Sequence, residues 1–195
     1  VVTDGSAVLG LGNIGAEAAL PVMEGKCVLF KELADIDAFP VAIQTQDEKE
    51  IINIVKNIAP AFGGINLEDI SAPRCFVIEE ELRDIGIPVM HDDQHGTAIV
   101  LLAALMNASK VVQKRIEDLK VVINGAGAAG TAIAKLLLCL DIDPNICTSV
   151  KEIIVCDSKG VIYEGRPDLN EFKTKLSKFT NRLKRTGTLR DALEG

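Results

Sequence analysis

The chain has 195 residues, 48% of them hydrophobic and 25% charged, an ordinary globular composition with enough length to bury one large core or two smaller ones. Its net charge of −7, from 28 acidic and 21 basic residues, argues against a nucleic-acid partner held through phosphates. The longest apolar stretches, such as Ile99 to Met106, suit a buried helix and fall short of a membrane span.

Taken in chain order, short apolar runs alternate with helical ones. Ala7–Leu11 reads as a strand, Ile14–Glu24 as a helix and Lys26–Ala34 as a second helical stretch. Phe39–Gln44 is β-rich. Over Asp47–Ala59, Ile51, Ile52, Val55 and Ile58 fall on one helical face. Ile65–Leu67 is a short strand, and Ser71-Ala72-Pro73 reads as a helix start with Ser71 as N-cap. Ile87–Met90 is a strand and Thr97–Val112 a long apolar helix at a domain junction. Lys120–Ile123, Ala128–Cys139 and Ile153–Cys156 read as strand, helix, strand. The polar tail from Asp168 to Arg190 carries Lys173 and Arg182 among its bases and reads as a solvated helix face. The order predicts an α/β protein with two parallel-sheet domains, residues 1–90 and 91–195, the second Rossmann-like. The opening Val1-Val2-Thr3-Asp4-Gly5 reads like the interior of a domain, and Asp191 to Gly195 carries no stop signal. A segment of a longer chain is expected.

Cys27, Cys75, Cys139, Cys147 and Cys156 form no C-x-x-C pair and lie among apolar residues. Free buried thiols in a reducing compartment, the cytoplasm, are expected.

Gly-x-Gly-x-x-Gly occurs twice, at Gly10-Leu11-Gly12-Asn13-Ile14-Gly15 and at Gly125-Ala126-Gly127-Ala128-Ala129-Gly130. The second follows an apolar strand, opens an apolar helix and is followed by a strand ending in Asp157. That order suits a dinucleotide: the glycines admit a pyrophosphate to a helix N-terminus, and Asp157 accepts from ribose hydroxyls. The longer spacing to Asp157 is accounted for by a connector, Asp141–Lys151, that contains Pro144. An acid there disfavours a 2′-phosphate, which favours NAD over NADP; Lys159 nearby offsets that preference. The first fingerprint lacks a second strand ending in an acid and reads as a structural turn.

Glu68-Asp69 and Asp92-Asp93 each follow a strand. If the strands are parallel neighbours, both pairs lie at one carboxyl edge, where open α/β sheets bind ligands. Carboxylates gathered there repel one another unless a cation neutralises them, and an all-oxygen set suits Mg²⁺ or Mn²⁺. His91 and His95 flank the second pair and leave a softer metal conceivable. Lys26 lies among apolar residues; beside a divalent cation its pKa would fall and it would serve as a base. Lys31, in similar company, is expected at the surface.

Together these residues resemble malic enzyme of the shorter bacterial type. Gly64-Ile65-Asn66-Leu67-Glu68-Asp69-Ile70 and His91-Asp92-Asp93-Gln94-His95-Gly96-Thr97-Ala98 are the most specific stretches, with Val1–Gly15, Leu20–Lys31 and Val121–Gly130 in support. The resemblance implies metal-dependent oxidative decarboxylation of L-malate to pyruvate and CO₂ with reduction of NAD or NADP. It assigns Glu68, Asp69 and Asp93 to the metal, Lys26 to general base, Asp92 to orienting Lys26, and Gly125, Ala126, Gly127, Ala128, Ala129 and Gly130 to the cofactor. The family's catalytic tyrosine lies upstream of Val1 and its substrate asparagines beyond Gly195. Where larger animal-type enzymes carry an arginine for malate, Ala7 stands. The segment alone is therefore expected to be inactive, and a homodimer is expected in the whole enzyme, with no nucleic acid or membrane as partner. Two alternatives share these residues: a malolactic-type conversion with bound NAD, and a silent dinucleotide-binding module.

Overall fold

The computed structural model describes residues 1–140, 142–143 and 145–194. Asp141 and Pro144 of the expected connector, and the terminal Gly195, lie outside the described residues. The chain packs as two compact units, Val1–Asp93 and Gln94–Gly195.

In the first unit, strands β1 (Val2–Thr3), β2 (Val41–Ala42), β3 (Ile65–Leu67) and β4 (Val89–His91) form a sheet in the order β2-β1-β3-β4. Every pairing is parallel, with Ile65 opposite Val89 and Leu67 opposite His91. The β3–β4 register sets the acidic pairs that follow these strands side by side. Helices α1 (Gly15–Ala34), α2 (Glu48–Ile58) and α3 (Arg74–Leu82) complete this unit. In α2 the apolar spacing does as expected: Ile51, Ile52 and Val55 are buried. Asp47 caps it by accepting from the Glu50 N–H, an arrangement worth about 1 kcal/mol.

Three readings of this unit need correction. The first strand is Val2–Thr3, and Ala7–Leu11 is a turn with Leu9 and Leu11 exposed. The cause lies in backbone conformation: Gly5, Gly10, Gly12 and Gly15 all take positive φ, which ends the extended run. The two helical stretches are one helix, α1, running through Pro21 and Gly25. Ala16, Ala19, Met23 and Cys27, three or four residues apart, bury one stripe of it, and that burial outweighs the weak helix formers. Ser71 does not cap α3; Pro73 holds the cap position, and the Ser71 N–H donates to Ser6 Oγ.

The second unit contains most of α4 (Asp92–Val111), a longer helix than expected that begins at the acidic pair itself. Strands β5 (Lys120–Asn124) and β6 (Glu152–Asp157) pair in parallel, with Asn124 opposite Cys156. Helix α5 (Ala128–Leu137) connects them in the sense of a βαβ unit. Ile123, Ile133, Ala134, Leu137, Ile153 and Val155 make the core between sheet and helix. Beyond the expected elements, β7 (Gly160–Val161) turns back antiparallel on β6, and helices α6 (Glu171–Ser177) and α7 (Leu189–Leu193) follow.

The cysteine reading holds for Cys27, Cys75 and Cys156, which are free and buried. It fails for Cys139 and Cys147, which form a disulfide. Their Cα atoms lie 5.9 Å apart, within bridging reach.

Candidate metal and nucleotide sites

Asp69 sits in the left-handed region, φ 54°, just past β3. Its N–H donates to Asp93 Oδ2 at 2.9 Å, and its carbonyl accepts from the Ala7 N–H at 2.9 Å. These bonds turn the chain so that Glu68, Asp69 and Asp93 converge, with one carboxylate oxygen from each within 4.8 Å of the others. Glu68 and Asp69 are buried and Asp93 is half-buried. Burial, then the charges of Asp93 and Glu68, push the Asp69 carboxyl up to about 6. Burial likewise raises Glu68. The cluster thus holds more negative charge than its protein surroundings compensate. An all-oxygen, under-neutralised set of three carboxylates fits a hard divalent cation such as Mg²⁺ or Mn²⁺.

Lys26 projects from α1 toward this cluster. Its Nζ lies 2.6 Å from Asp92 Oδ2 and 3.1 Å from Glu68 Oε2. Burial alone would lower the ammonium, but hydrogen bonds and charges from Asp92 and Glu68 outweigh it and the net direction is upward. Lys31 differs as expected: it is half exposed and pairs with Asp35 and Asp37 on the surface.

Of the two histidines beside the acids, His91 is fully buried, with Nε2 2.9 Å from Asp93 Oδ2. Its backbone N–H donates to Glu79 Oε1. Among the described residues the convergent metal-ligating group contains carboxylates only, so the oxygen set and not a softer one stands in this fold. Cys75, though its thiol lies near Asp93, is pushed up to about 12 by burial and stays a protonated core group.

Sequence reasoning missed a brace behind the cluster. Arg74 Nη2 donates to Asp4 Oδ2 at 2.6 Å and to Ser6 Oγ at 2.8 Å, and Asp4 is buried. With the Ser71–Ser6 bond, this ties the loop after β1 to the loop that carries Asp69. Asp4 follows the carboxyl end of β1 as Glu68 follows β3, so the strand-end rule would have found it had β1 been placed correctly.

In the second unit the three glycines of Gly125–Gly130 have separate tasks. Gly125 takes φ +130° and its N–H donates to the Cys156 carbonyl. Gly127, at the N-cap of α5, has nothing within 4 Å of where a side chain would begin. A Cβ on Gly130 would lie 1.9 Å from the Gly125 carbonyl oxygen. A tight turn, an open backbone at a helix N-terminus and a close helix–strand contact are what a pyrophosphate requires. Ala126, Ala128 and Ala129 complete the turn and begin the helix.

Asp157 ends β6 as expected, but its oxygens already have protein partners. Arg166 spans both, at 2.6 and 3.0 Å, while Lys173 Nζ lies 2.6 Å from Oδ2 and the Lys159 N–H 2.9 Å from Oδ1. Burial opposes ionisation, yet Arg166 and Lys173 hold the carboxyl well below its ordinary range. Lys173, read as part of a solvated tail, belongs to this cluster. The signal for Arg166 was the turn Asp157-Ser158-Lys159-Gly160 before Val161, a hairpin that returns the chain past Asp157.

Family models cover nearly the whole chain: "Malic enzyme, N-terminal domain" matches residues 1–53 and 44–83, and "Malic enzyme, NAD binding domain" matches residues 94–194. The chain is 57% identical to a bifunctional malic/malolactic enzyme of Bacillus subtilis, over 99% of its own length and 46% of that protein's. It is 55% identical to an NAD-dependent malic enzyme of Geobacillus stearothermophilus, over its whole length and 39% of that protein's. The solved structure of an NAD-dependent malic enzyme from Thermotoga maritima superposes with a TM-score of 0.91 at 52% identity, covering all of this chain and 50% of that one. The chain thus spans about half, or less, of the length of these relatives. Among the described residues no helix is long and apolar enough to cross a membrane. With both family models matched in order and the acidic cluster and glycine turn in place, the chain belongs to the malic enzyme family.

Proposed function

We propose that the whole protein oxidatively decarboxylates L-malate to pyruvate and CO₂ while reducing NAD or NADP. The observation that carries this reading is Lys26 held by Asp92 and Glu68 beside three convergent carboxylates. Glu68, Asp69 and Asp93 would hold Mg²⁺ or Mn²⁺, which supplies polarisation of substrate oxygens and neutralises charge that builds there. Gly125–Gly130 would hold the pyrophosphate of a nicotinamide cofactor, which would supply the hydride acceptor.

Lys26 Nζ takes the proton of the malate C2 hydroxyl. Asp92 and Glu68 keep the amine aimed. Burial favours the neutral amine a base needs, and the two carboxylates oppose it; a cation held by Glu68 would weaken that opposition. Asp157 is neutralised by Arg166 and Lys173, so it repels a 2′-phosphate less than a bare acid would. Both cofactors therefore remain compatible with the turn. The relatives' names include both NAD- and NADP-dependent enzymes. A homodimer in the cytoplasm belongs to this reading; the solution mass of the whole protein tests the dimer.

A malolactic conversion with retained NAD is the second reading, favoured by the name of the Bacillus subtilis relative. One assay separates them. Whole protein is mixed with L-malate, Mn²⁺ and NAD⁺ or NADP⁺, and absorbance of reduced cofactor is followed. A metal-dependent rise with pyruvate formed supports malic enzyme activity. Malate consumption with lactate and no rise supports the second reading, and no consumption leaves a silent nucleotide-binding module.

A further inference from the structure

His91 lies at the acidic cluster, and the reaction above makes no use of its position. Its ring is 0% exposed, and neither Nδ1 nor Nε2 has a partner in hydrogen-bond geometry. A buried imidazole in that state costs free energy, so packing alone favours an apolar residue of similar size here. The ring is held firmly nonetheless. His91 pairs with Leu67 across β3 and β4, and its N–H is anchored on Glu79. Nε2 lies 2.9 Å from Asp93 Oδ2, the same oxygen that accepts the Asp69 N–H at 2.9 Å. Two protein groups therefore bear on one oxygen of Asp93, and neither bears on the other.

We propose that His91 is a positioning residue for Asp93: its buried ring confines Oδ2 against the Asp69 backbone and leaves Oδ1 for a divalent cation. Ligand carboxylates work best when a neighbour fixes their orientation, because a freely turning carboxylate loses rotational freedom on binding. Asp92 instead turns to Lys26, and Glu68 is held by Asn66 and Lys26. The inference rests on the reading of Glu68, Asp69 and Asp93 as a cation site.

The test measures Mn²⁺ affinity directly, from the electron paramagnetic resonance signal of free Mn²⁺ titrated into cation-stripped whole protein. His91→Leu removes both nitrogens and fills the space; His91→Gln returns a polar tip at about the reach of Nε2. The expected result is a Mn²⁺ Kd raised about 10–100-fold in His91→Leu and largely restored in His91→Gln, the range typical for groups behind metal ligands. The melting temperature of cation-free His91→Leu should equal or exceed that of the parent, since two unsatisfied nitrogens are gone. Unchanged Mn²⁺ affinity in His91→Leu would overturn the proposal. So would a weakened affinity that comes with a lower melting temperature and no rescue by Gln, which marks a packing role. If the parent itself binds no Mn²⁺, the cation reading fails and the inference falls with it, an outcome distinct from a parent that binds and variants that do not differ.

Discussion

Asp69 and Asp157 both stand at the carboxyl end of a parallel strand, one after β3 and one closing β6, and their surroundings drive them in opposite directions. Around Asp69 burial, then the charges of Asp93 and Glu68, pushes the carboxyl up to about 6. Around Asp157 the nearest charges are Arg166 and Lys173, and the carboxyl is held well below its usual range. Topology delivers an acid to the same place twice; the neighbours decide whether its charge is balanced within the chain or left for something from outside. A compensated acid is part of the framework. An uncompensated cluster is maintained against its own repulsion, which marks it for binding.

The contrast can be broken at several points. The largest expected effect falls on activity: in the whole protein Lys26→Ala should lower kcat for malate oxidation by about 10³-fold, as loss of a general base does, with NADH affinity by fluorescence unchanged. Next is stability, where equivalent changes should have opposite signs. Asp157→Asn should destabilise the second unit by about 3 kcal/mol, because Arg166 keeps a buried, poorly matched charge; hydrogen exchange at β6 across a urea series reads this. Asp69→Asn should stabilise the cation-free protein by about 1 kcal/mol, since it removes one of three mutually repelling charges and Asn tolerates the left-handed backbone. The same denaturation, with hydrogen exchange at β3, checks it.

A pH series sharpens the comparison further. Asp157 has a folded pKa below its unfolded value, so its stabilisation is full above about pH 4 and is lost as pH falls through the folded value. Asp69 has a folded pKa raised to about 6, so its contribution runs the other way. Between its unfolded value of 3.8 and about 6 the folded chain binds the proton that the unfolded chain releases, and stability drops as pH rises through that window. Hydrogen exchange in cation-free protein should therefore become faster around β3 from pH 5 to 7.5, after correction for intrinsic rates, and stay level around β6. The smallest effect is a control. Lys31→Ala removes two exposed pairs and should leave malate oxidation and unfolding unchanged.

Much of this arrangement was readable in advance because it follows from local pattern. The 3.6-residue spacing of Ile51, Val55 and Ile58, the Asp47 cap and the glycine turn after β5 each state their structure within a few residues. The acidic pairs were placed by one topological rule applied to two strands. What escaped depended on distance through space. Strand β1 is two residues long, too short for any period to announce it, and the glycines after it drew attention to the wrong segment. Arg166 reaches Asp157 across a hairpin, and Lys173 reaches it from a helix that looked solvated. Cys139 and Cys147 share no recognised motif, and their pairing shows only in the structure. His91 was visible as a flanking histidine, but its burial depends on the register of β4 against β3.

The glycine turn after β5 has a thermodynamic consequence of its own. Its shape is held by contacts internal to the chain, the Gly125 bond to Cys156 and the close approach of Gly130 to Gly125. To the extent that these contacts order the loop before a dinucleotide arrives, association need not supply the conformational entropy that ordering a mobile loop would demand. The heat released in calorimetry should then be reported more fully in the affinity than it is for proteins whose phosphate loops condense only around their guest.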